Sequence, residues 1–244
     1  MALIHGRADQ LPRGYGRIWL MGGPGSGKTV AAATFPRPYF LNSHNEDSIK
    51  TLRGLPYPYT VLVPEPGRVR QDLTTFADTL LRAASQSVDH LHSQFGQTLV
   101  IDGWSHFNDV LVSEIADAEV KGSVKGKMDQ PKWGLLLGFM LNFRDMLWRL
   151  PMHVIITSLV YTPSGDKGGL GGAAGQGQAS ERVPSSCDAI GYCTTNPQGV
   201  REVHFQQYGI YPARHRWGLQ GLGPGPFPNH ALWQVLAPFL GWST

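Results

Sequence analysis

The octapeptide Gly22-Gly23-Pro24-Gly25-Ser26-Gly27-Lys28-Thr29 fits the pattern G-x-x-x-x-G-K-[ST] at every position. Each residue type has a reason to be there if the ligand is a chain of phosphates. Glycines let a loop wrap until its backbone N–H groups converge on phosphate oxygens. A helix opening near Lys28 turns its positive dipole end toward the same oxygens. Lys28 adds a mobile cation for the β- and γ-phosphates, and the Thr29 hydroxyl can ligate Mg²⁺. The motif therefore predicts binding of ATP with Mg²⁺. The bland alternative is a glycine-rich turn with a chance lysine. The flanks speak against it, because an apolar run over 17–21 leads in and the helix-tolerant KTVAAAT leads out.

Phosphoryl chemistry needs more than a cradle. Asp102 closes the apolar run Thr98-Leu99-Val100-Ile101. A carboxylate at the C-terminal end of such a strand sits at the ligand edge of a parallel sheet, where it can hold Mg²⁺ through a water. It can also cap the helix that follows, and the two roles are compatible. Ser158, beside Thr157, ends another apolar strand and is a candidate polar contact to the γ-phosphate. A general base should be a carboxylate near the end of the 39–42 strand or beside Asp102, which makes Glu46 and Asp47 the candidates.

Basic residues gather in two places. Lys121, Lys125, Lys127 and Lys132 share a polar, glycine-punctuated stretch, VKGSVKGKMDQPK, that runs into Trp133. Such a loop can track a phosphate backbone while the indole stacks a base; it can also be a solvated loop and nothing more. Arg214 and Arg216 lie in ARHRW. They fit either an arginine finger reaching a neighbouring subunit's γ-phosphate or a surface pair clamping a carboxylate. Cys187, Cys193 and His204 lack metal-ligand spacing, and the cysteines read as core thiols. His90 and His92 read as solvated residues near a helix end.

The elements that must position these groups follow from periodicity. Stretches 17–21, 38–42, 59–63, 98–101 and 152–160 read as strands. Apolar residues at Leu73, Phe76, Ala77, Leu80, Leu81, Ala84, Val88, Leu91 and Phe95 keep helical spacing and predict one long helix over 71–95. Further helices are expected over about 104–120, 133–149 and 229–240, the last capped by Asn229. Segment 162–182 carries seven glycines and reads as a long functional or disordered loop. The turn Asn196-Pro197-Gln198-Gly199 predicts an antiparallel hairpin between 188–195 and 200–207. Strands that alternate with helices, each apolar on both faces, predict a three-layer α/β fold. Its sheet should be mostly parallel, with an antiparallel C-terminal hairpin at one edge.

The 244 residues favour a single domain with a full α/β core. Residues 1–14 would be an N-terminal extension, 162–182 a flexible loop and 218–244 a C-terminal tail with a short helix. With 41% hydrophobic and 16% charged residues, the chain is not of the disordered class. Two cysteines exclude a disulfide scaffold and point to a reducing compartment. No apolar run approaches the roughly 18 residues of a membrane span, and the first residues lack the apolar stretch of a signal peptide, so a cytoplasmic location is expected. A net charge of +3 neither demands nor excludes nucleic acid.

Together, GGPGSGKT, TFPRPYFLN and TLVIDGWSHF resemble the phage-encoded RecA-like ATPases of the AAA type, core-only recombinase-like proteins associated with single-strand annealing. LPMHVIITS and DAIGY add to the resemblance, which runs over about 15–216. It implies a RecA-like P-loop core, ATP and Mg²⁺, and single-stranded DNA as a partner. It also implies self-association in a ring or filament, and a role in phage DNA recombination beside an annealing or single-strand-binding protein in the host cytoplasm. It matches Lys28 and Thr29 to the phosphate-binding pair and Asp102 to the Mg²⁺-side aspartate. It makes the lysine loop and the 162–182 loop the DNA-facing ones. It further implies a catalytic glutamate at the end of the second strand, where this chain has Asn42-Ser43-His44. His44 takes the glutamate's place, with Glu46 two residues on. A neutral histidine can hydrogen-bond water but is a poor substitute. Either Glu46 swings in, or hydrolysis is slow or lost. Two functions of different class follow: a single-stranded-DNA-stimulated ATPase, or a nucleotide-binding assembly protein with little or no turnover. A small-molecule kinase is a third, but the arginine-rich lid of such enzymes has only Lys167 and Arg182 as counterparts in 162–182.

Overall fold

The structure is a computed structural model of the chain and describes residues 14–43, 47–63, 65, 67–163, 170–216 and 225–242. In chain order, β1 (Arg17–Gly22), α1 (Lys28–Ala33), β2 (Pro38–Ser43) and β3 (Tyr59–Leu62) are followed by α2 (Val69–Gln86) and α3 (Val88–Phe95). Next come β4 (Thr98–Asp102), α4 (Trp104–Asp117), α5 (Gln130–Trp148) and β5 (His153–Ser158). The rest holds β6 (Val160–Tyr161), β7 (Gly172–Ala173), α6 (Ala179–Ser185), β8 (Ala189–Thr195), β9 (Arg201–His204), β10 (Arg214–His215), β11 (Phe227–Pro228) and α7 (Leu232–Leu236).

Successive residues of the apolar strands bury on opposite faces of one sheet. Trp19, Met21, Leu99, Ile101, Val154 and Ile156 enter one core, with α2 to α6 packed over it. Ile18, Leu20, Val100 and Ile155 enter the other, beneath α1 and α7. This is why the strands read as unbroken apolar runs: neither face meets water. The strand order is β11-β9-β8-β1-β5-β4-β2-β3, with β10 paired to β8. The six strands from β8 to β3 are parallel, and β9, β10 and β11 pair antiparallel. The chain thus has the expected three-layer α/β fold, a mostly parallel sheet extended by an antiparallel C-terminal hairpin. Arg17 locks β1 to β5, its guanidinium donating to the carbonyls of Trp148, Leu150 and Met152 at 2.9, 3.0 and 2.8 Å.

Several expectations need correction. The single helix over 71–95 is two, because Ser87 is extended (φ −169°, ψ 161°) and its hydroxyl accepts the His90 N–H to start α3. The apolar spacing ran through the break because Leu80 and Leu91 return to the same core. His92 is buried, not solvated, with its ring nitrogen 2.8 Å from the Pro151 carbonyl oxygen. Segment 162–182 is not one structureless loop: β7 pairs with β6, and α6 begins inside the segment. The C-terminal helix is a short α7 between two 3-10 turns, Asn229–Ala231 and Ala237–Leu240. Asn229 does not cap it; its side chain reaches elsewhere.

Candidate nucleotide-binding site

The phosphate loop leaves the sheet where β1 meets β8, with Gly22 opposite Cys193. A Cβ on Gly22 would collide with the Cys193 carbonyl oxygen and stand 2.6 Å from Ser26 Oγ. Gly27, just before α1, has φ +88°, and a Cβ there would collide with the Asn229 carboxamide and lie 2.8 Å from Arg201 Cδ. Both glycines are therefore set by local crowding as well as by backbone freedom. Asn229 Nδ2 donates to the Ser26 carbonyl at 2.9 Å, so the C-terminal segment braces the loop. Lys28 folds back over the loop, its Nζ donating to the carbonyls of Gly22 (3.0 Å) and Gly23 (2.9 Å). Because α1 has only six residues, its dipole is small, and the loop N–H groups with Lys28 are the main anion-binding features.

Asp102 ends β4 and is 2% exposed. Its Oδ2 accepts from Thr29 Oγ1 at 3.0 Å and its Oδ1 from Thr157 Oγ1 at 2.5 Å. β5 lies between β1 and β4, which lets Thr157 reach the carboxylate from the middle strand. The Asp102–Gly103 peptide is cis. Thr29 and Asp102 are both buried oxygen donors held together at the foot of the loop, a donor set that suits Mg²⁺ with its water shell. Around them lies a cavity of about 330 Å³, whose wall includes Lys28, Thr51, Ser158, Ser105, His106 and Arg201. Ser158 accepts the Trp19 indole N–H at 2.9 Å, which leaves its own proton to donate. Burial pushes the Cys193 thiol up to about 12, against the pull of Lys28, so a neutral sulfur stands beside the loop.

The first turn of α4 connects this site to the glycine-rich segment. Ser105 Oγ donates to the Ala174 carbonyl at 2.9 Å and accepts the Leu159 N–H at 3.1 Å. Asn108 Oδ1 accepts the Gln176 N–H at 2.7 Å.

Of the residues singled out in the sequence, Lys28, Thr29, Asp102 and Ser158 meet at one cavity. His44 and Glu46 lie outside the described residues. Lys121, Lys125 and Lys127 are exposed. Lys132 is not available to a nucleic acid: it is 0% exposed, and its Nζ donates to the carbonyls of Ala116 (2.5 Å) and Val124 (2.8 Å). It pins the loop from below. Trp133 is half-buried against the core, with its ring over Gly177. Arg214 and Arg216 both donate to the Ser185 carbonyl, at 2.6 and 2.7 Å, and so cap α6. Strand β10, which Arg214 opens and Arg216 follows, pairs with Ala189 and Ile190, at the end of β8 away from Gly22. The clamped group is thus a helix-end carbonyl, not a carboxylate. Sequence reading missed Asn229 as a loop brace, and it missed Arg201, Thr51 and His106 in the wall. His106 follows Asp102 closely in the chain, whereas the sites of Asn229, Arg201 and Thr51 depend on long-range contacts, for which local pattern holds no signal.

A family model described as AAA domain matches residues 15–217. No curated protein matches the chain. Among solved structures, the RadB recombinase aligns with 14% identity and a TM-score of 0.44, covering 81% of this chain and 86% of that one. A KaiC-like protein from the hyperthermophilic archaeon Pyrococcus horikoshii aligns with 15% identity and a TM-score of 0.41, covering 82% and 81%.

Proposed function

The chain belongs to the AAA domain family, and on that premise we propose that it is an ATP-binding P-loop ATPase whose hydrolysis is stimulated by single-stranded DNA, acting in phage DNA recombination or annealing as a homo-oligomer. The observation that carries the nucleotide reading is the Thr29–Asp102 pair at the foot of the phosphate loop. The loop N–H groups and Lys28 hold the phosphate chain, and the bonds from Lys28 to the Gly22 and Gly23 carbonyls exchange for phosphate oxygens. Bound Mg²⁺ would supply positive charge to offset that of the phosphate chain. Thr29 and Asp102 are the residues that would hold it, and Thr157 fixes the carboxylate. Ser158 donates its free proton toward the γ-phosphate. Positioning and charge neutralisation do most of the work in such a transfer.

The DNA part of the reading is supported by the exposed Lys121, Lys125 and Lys127 and by the hydrogen bonds that join the Asp102 turn to segment 174–176. A second reading is a nucleotide-dependent assembly protein with little turnover. It is favoured by the cavity wall, where Asp102 is the sole carboxylate among the described residues and is already committed to two hydroxyls.

The test is steady-state ATP hydrolysis with and without oligo-dT, with Lys28→Ala as the blank. Turnover that rises with oligo-dT and vanishes in the blank is expected. ATP binding without turnover in either condition would discard the ATPase and leave the assembly reading.

A further inference from the structure

Arg201 lies beside the phosphate loop, and among the described residues nothing holds its guanidinium. The β8–β9 hairpin puts it there by register. Gly22 pairs with Cys193, Cys193 with Val203, and Thr195 with Arg201. Arg201 thus stands two residues, about 7 Å, past the line where β1 gives way to the loop. Its Cδ lies 2.8 Å from the position a Gly27 Cβ would take, so the stem of the side chain fills the space that glycine leaves. The side chain lines the same cavity as Lys28, Thr29 and Asp102. Among the described residues its guanidinium makes no hydrogen bond or ion pair. The neighbouring carboxylate, Glu202, is taken by Asn196 Nδ2 at 2.5 Å and faces His204 Nε2 at 3.7 Å, so it does not neutralise Arg201.

We propose that Arg201 binds the phosphate chain of the nucleotide in cis, as a second cation beside Lys28. A guanidinium is a planar fork of N–H donors matched to two phosphate oxygens, where an ammonium acts as a point charge. Lys28 approaches from the loop itself and Arg201 from the C-terminal hairpin, so the chain of phosphates is gripped from two elements. The ligand class that uses both is a nucleoside di- or triphosphate. This inference rests on the nucleotide-binding reading above.

Calorimetric titration of the full chain with ATP and with ADP, each with Mg²⁺, tests it in the parent, Arg201→Ala, Arg201→Lys and Lys28→Ala. Loss of a charge-assisted contact should weaken both nucleotides by about tenfold or more in Arg201→Ala, with partial recovery in Arg201→Lys. Arg201→Gln, which keeps the stem against Gly27, should lose as much as the alanine variant and serves if the alanine variant does not fold. Binding within twofold of the parent in folded Arg201→Ala and Arg201→Gln, with Lys28→Ala weakened, overturns the role of Arg201 and leaves the nucleotide reading standing. A parent that binds neither nucleotide overturns both.

Discussion

The carboxamide of Asn229 donates to the carbonyl of Ser26 at 2.9 Å and so joins positions 203 apart in the chain. The bond is buried, and Gly27 packs directly under the same carboxamide. At the other end of α1, the Trp233 N–H donates to Thr34 Oγ1 at 3.0 Å. A six-residue helix is too short to hold its own shape in water. The segment around α7 brackets it at both ends, and the phosphate loop inherits its conformation from the last part of the chain.

Asn229→Ala removes the donor and leaves the Ser26 carbonyl buried without it. The loss should be about 1–3 kcal/mol of stability. Because the loop itself is loosened, the stabilisation that saturating ATP confers should also shrink. Urea denaturation with and without ATP and Mg²⁺ reads both effects. A variant that loses stability but keeps the whole ATP increment would show that the brace supports the fold and not the loop.

Asp102→Asn keeps the size of the side chain and removes its charge. The parent should bind ATP more tightly with Mg²⁺ than with EDTA. The variant should bind ATP in EDTA about as well as the parent and lose the gain on adding Mg²⁺, since the oxygen set that suits the ion is the Thr29–Asp102 pair. Hydrolysis, where the parent shows it, should vanish. A variant that still gains from Mg²⁺ would place the ion elsewhere.

The nucleotide end of the molecule was readable because it is local. Eight consecutive residues make the loop, and Asp102 ends the strand that its own apolar neighbours define. Two-sided burial showed equally well, since Ile18 and Trp19 face different cores yet both are apolar. What local pattern missed was set by contacts remote in sequence. Lys132 looks like its loop neighbours in composition, but the turn of α5 that starts at the Asp129 cap points it inward onto two carbonyls. Asn229 resembles a helix cap, but a carbonyl acceptor on the far side of the fold, that of Ser26, takes its side chain. Arg201 is two residues past a turn, and only the pairing of β8 with β1 brings it to the loop.

His153 should make the protein sensitive to acid. Gly16 N–H donates to its Nδ1 at 3.0 Å, so the neutral ring carries its proton on Nε2. The rings of Tyr15, Phe35, Trp233 and Trp242 surround it with centroids 5.2–5.9 Å away. Burial, with the charge of Arg17 and the nearby His92, lowers its pKa from 6.5 to about 4. The folded state therefore refuses a proton that the unfolded chain takes. Stability is intact above pH 6.5 and falls as the pH drops toward 4, by roughly 3 kcal/mol from this group. His153→Gln can still accept the Gly16 N–H and has nothing to titrate. Its stability should fall less steeply over the same window, so the gap between parent and variant should narrow on acidification. Parallel curves would remove His153 as the cause.

The lysine loop offers the sharpest separation of structure from function. Lys132→Met should cost roughly 2–4 kcal/mol, because two buried carbonyls lose a charged donor. Lys121→Ala, Lys125→Ala and Lys127→Ala should each stay within about 0.5 kcal/mol of the parent, as exposed substitutions do. If the loop tracks single-stranded DNA, those three should weaken oligo-dT binding instead. Each should also lower the slope of log affinity against log salt by about 0.7, the counterion release expected per phosphate contact on a single strand. Fluorescence anisotropy of labelled oligo-dT across a salt series, with ATP present, reads the slope directly. A triple alanine variant that binds oligo-dT with the parent's affinity and slope would reduce the loop to a solvated surface held down by Lys132, and the DNA contact would have to be sought on the segment that Asn108 and Ser105 hold.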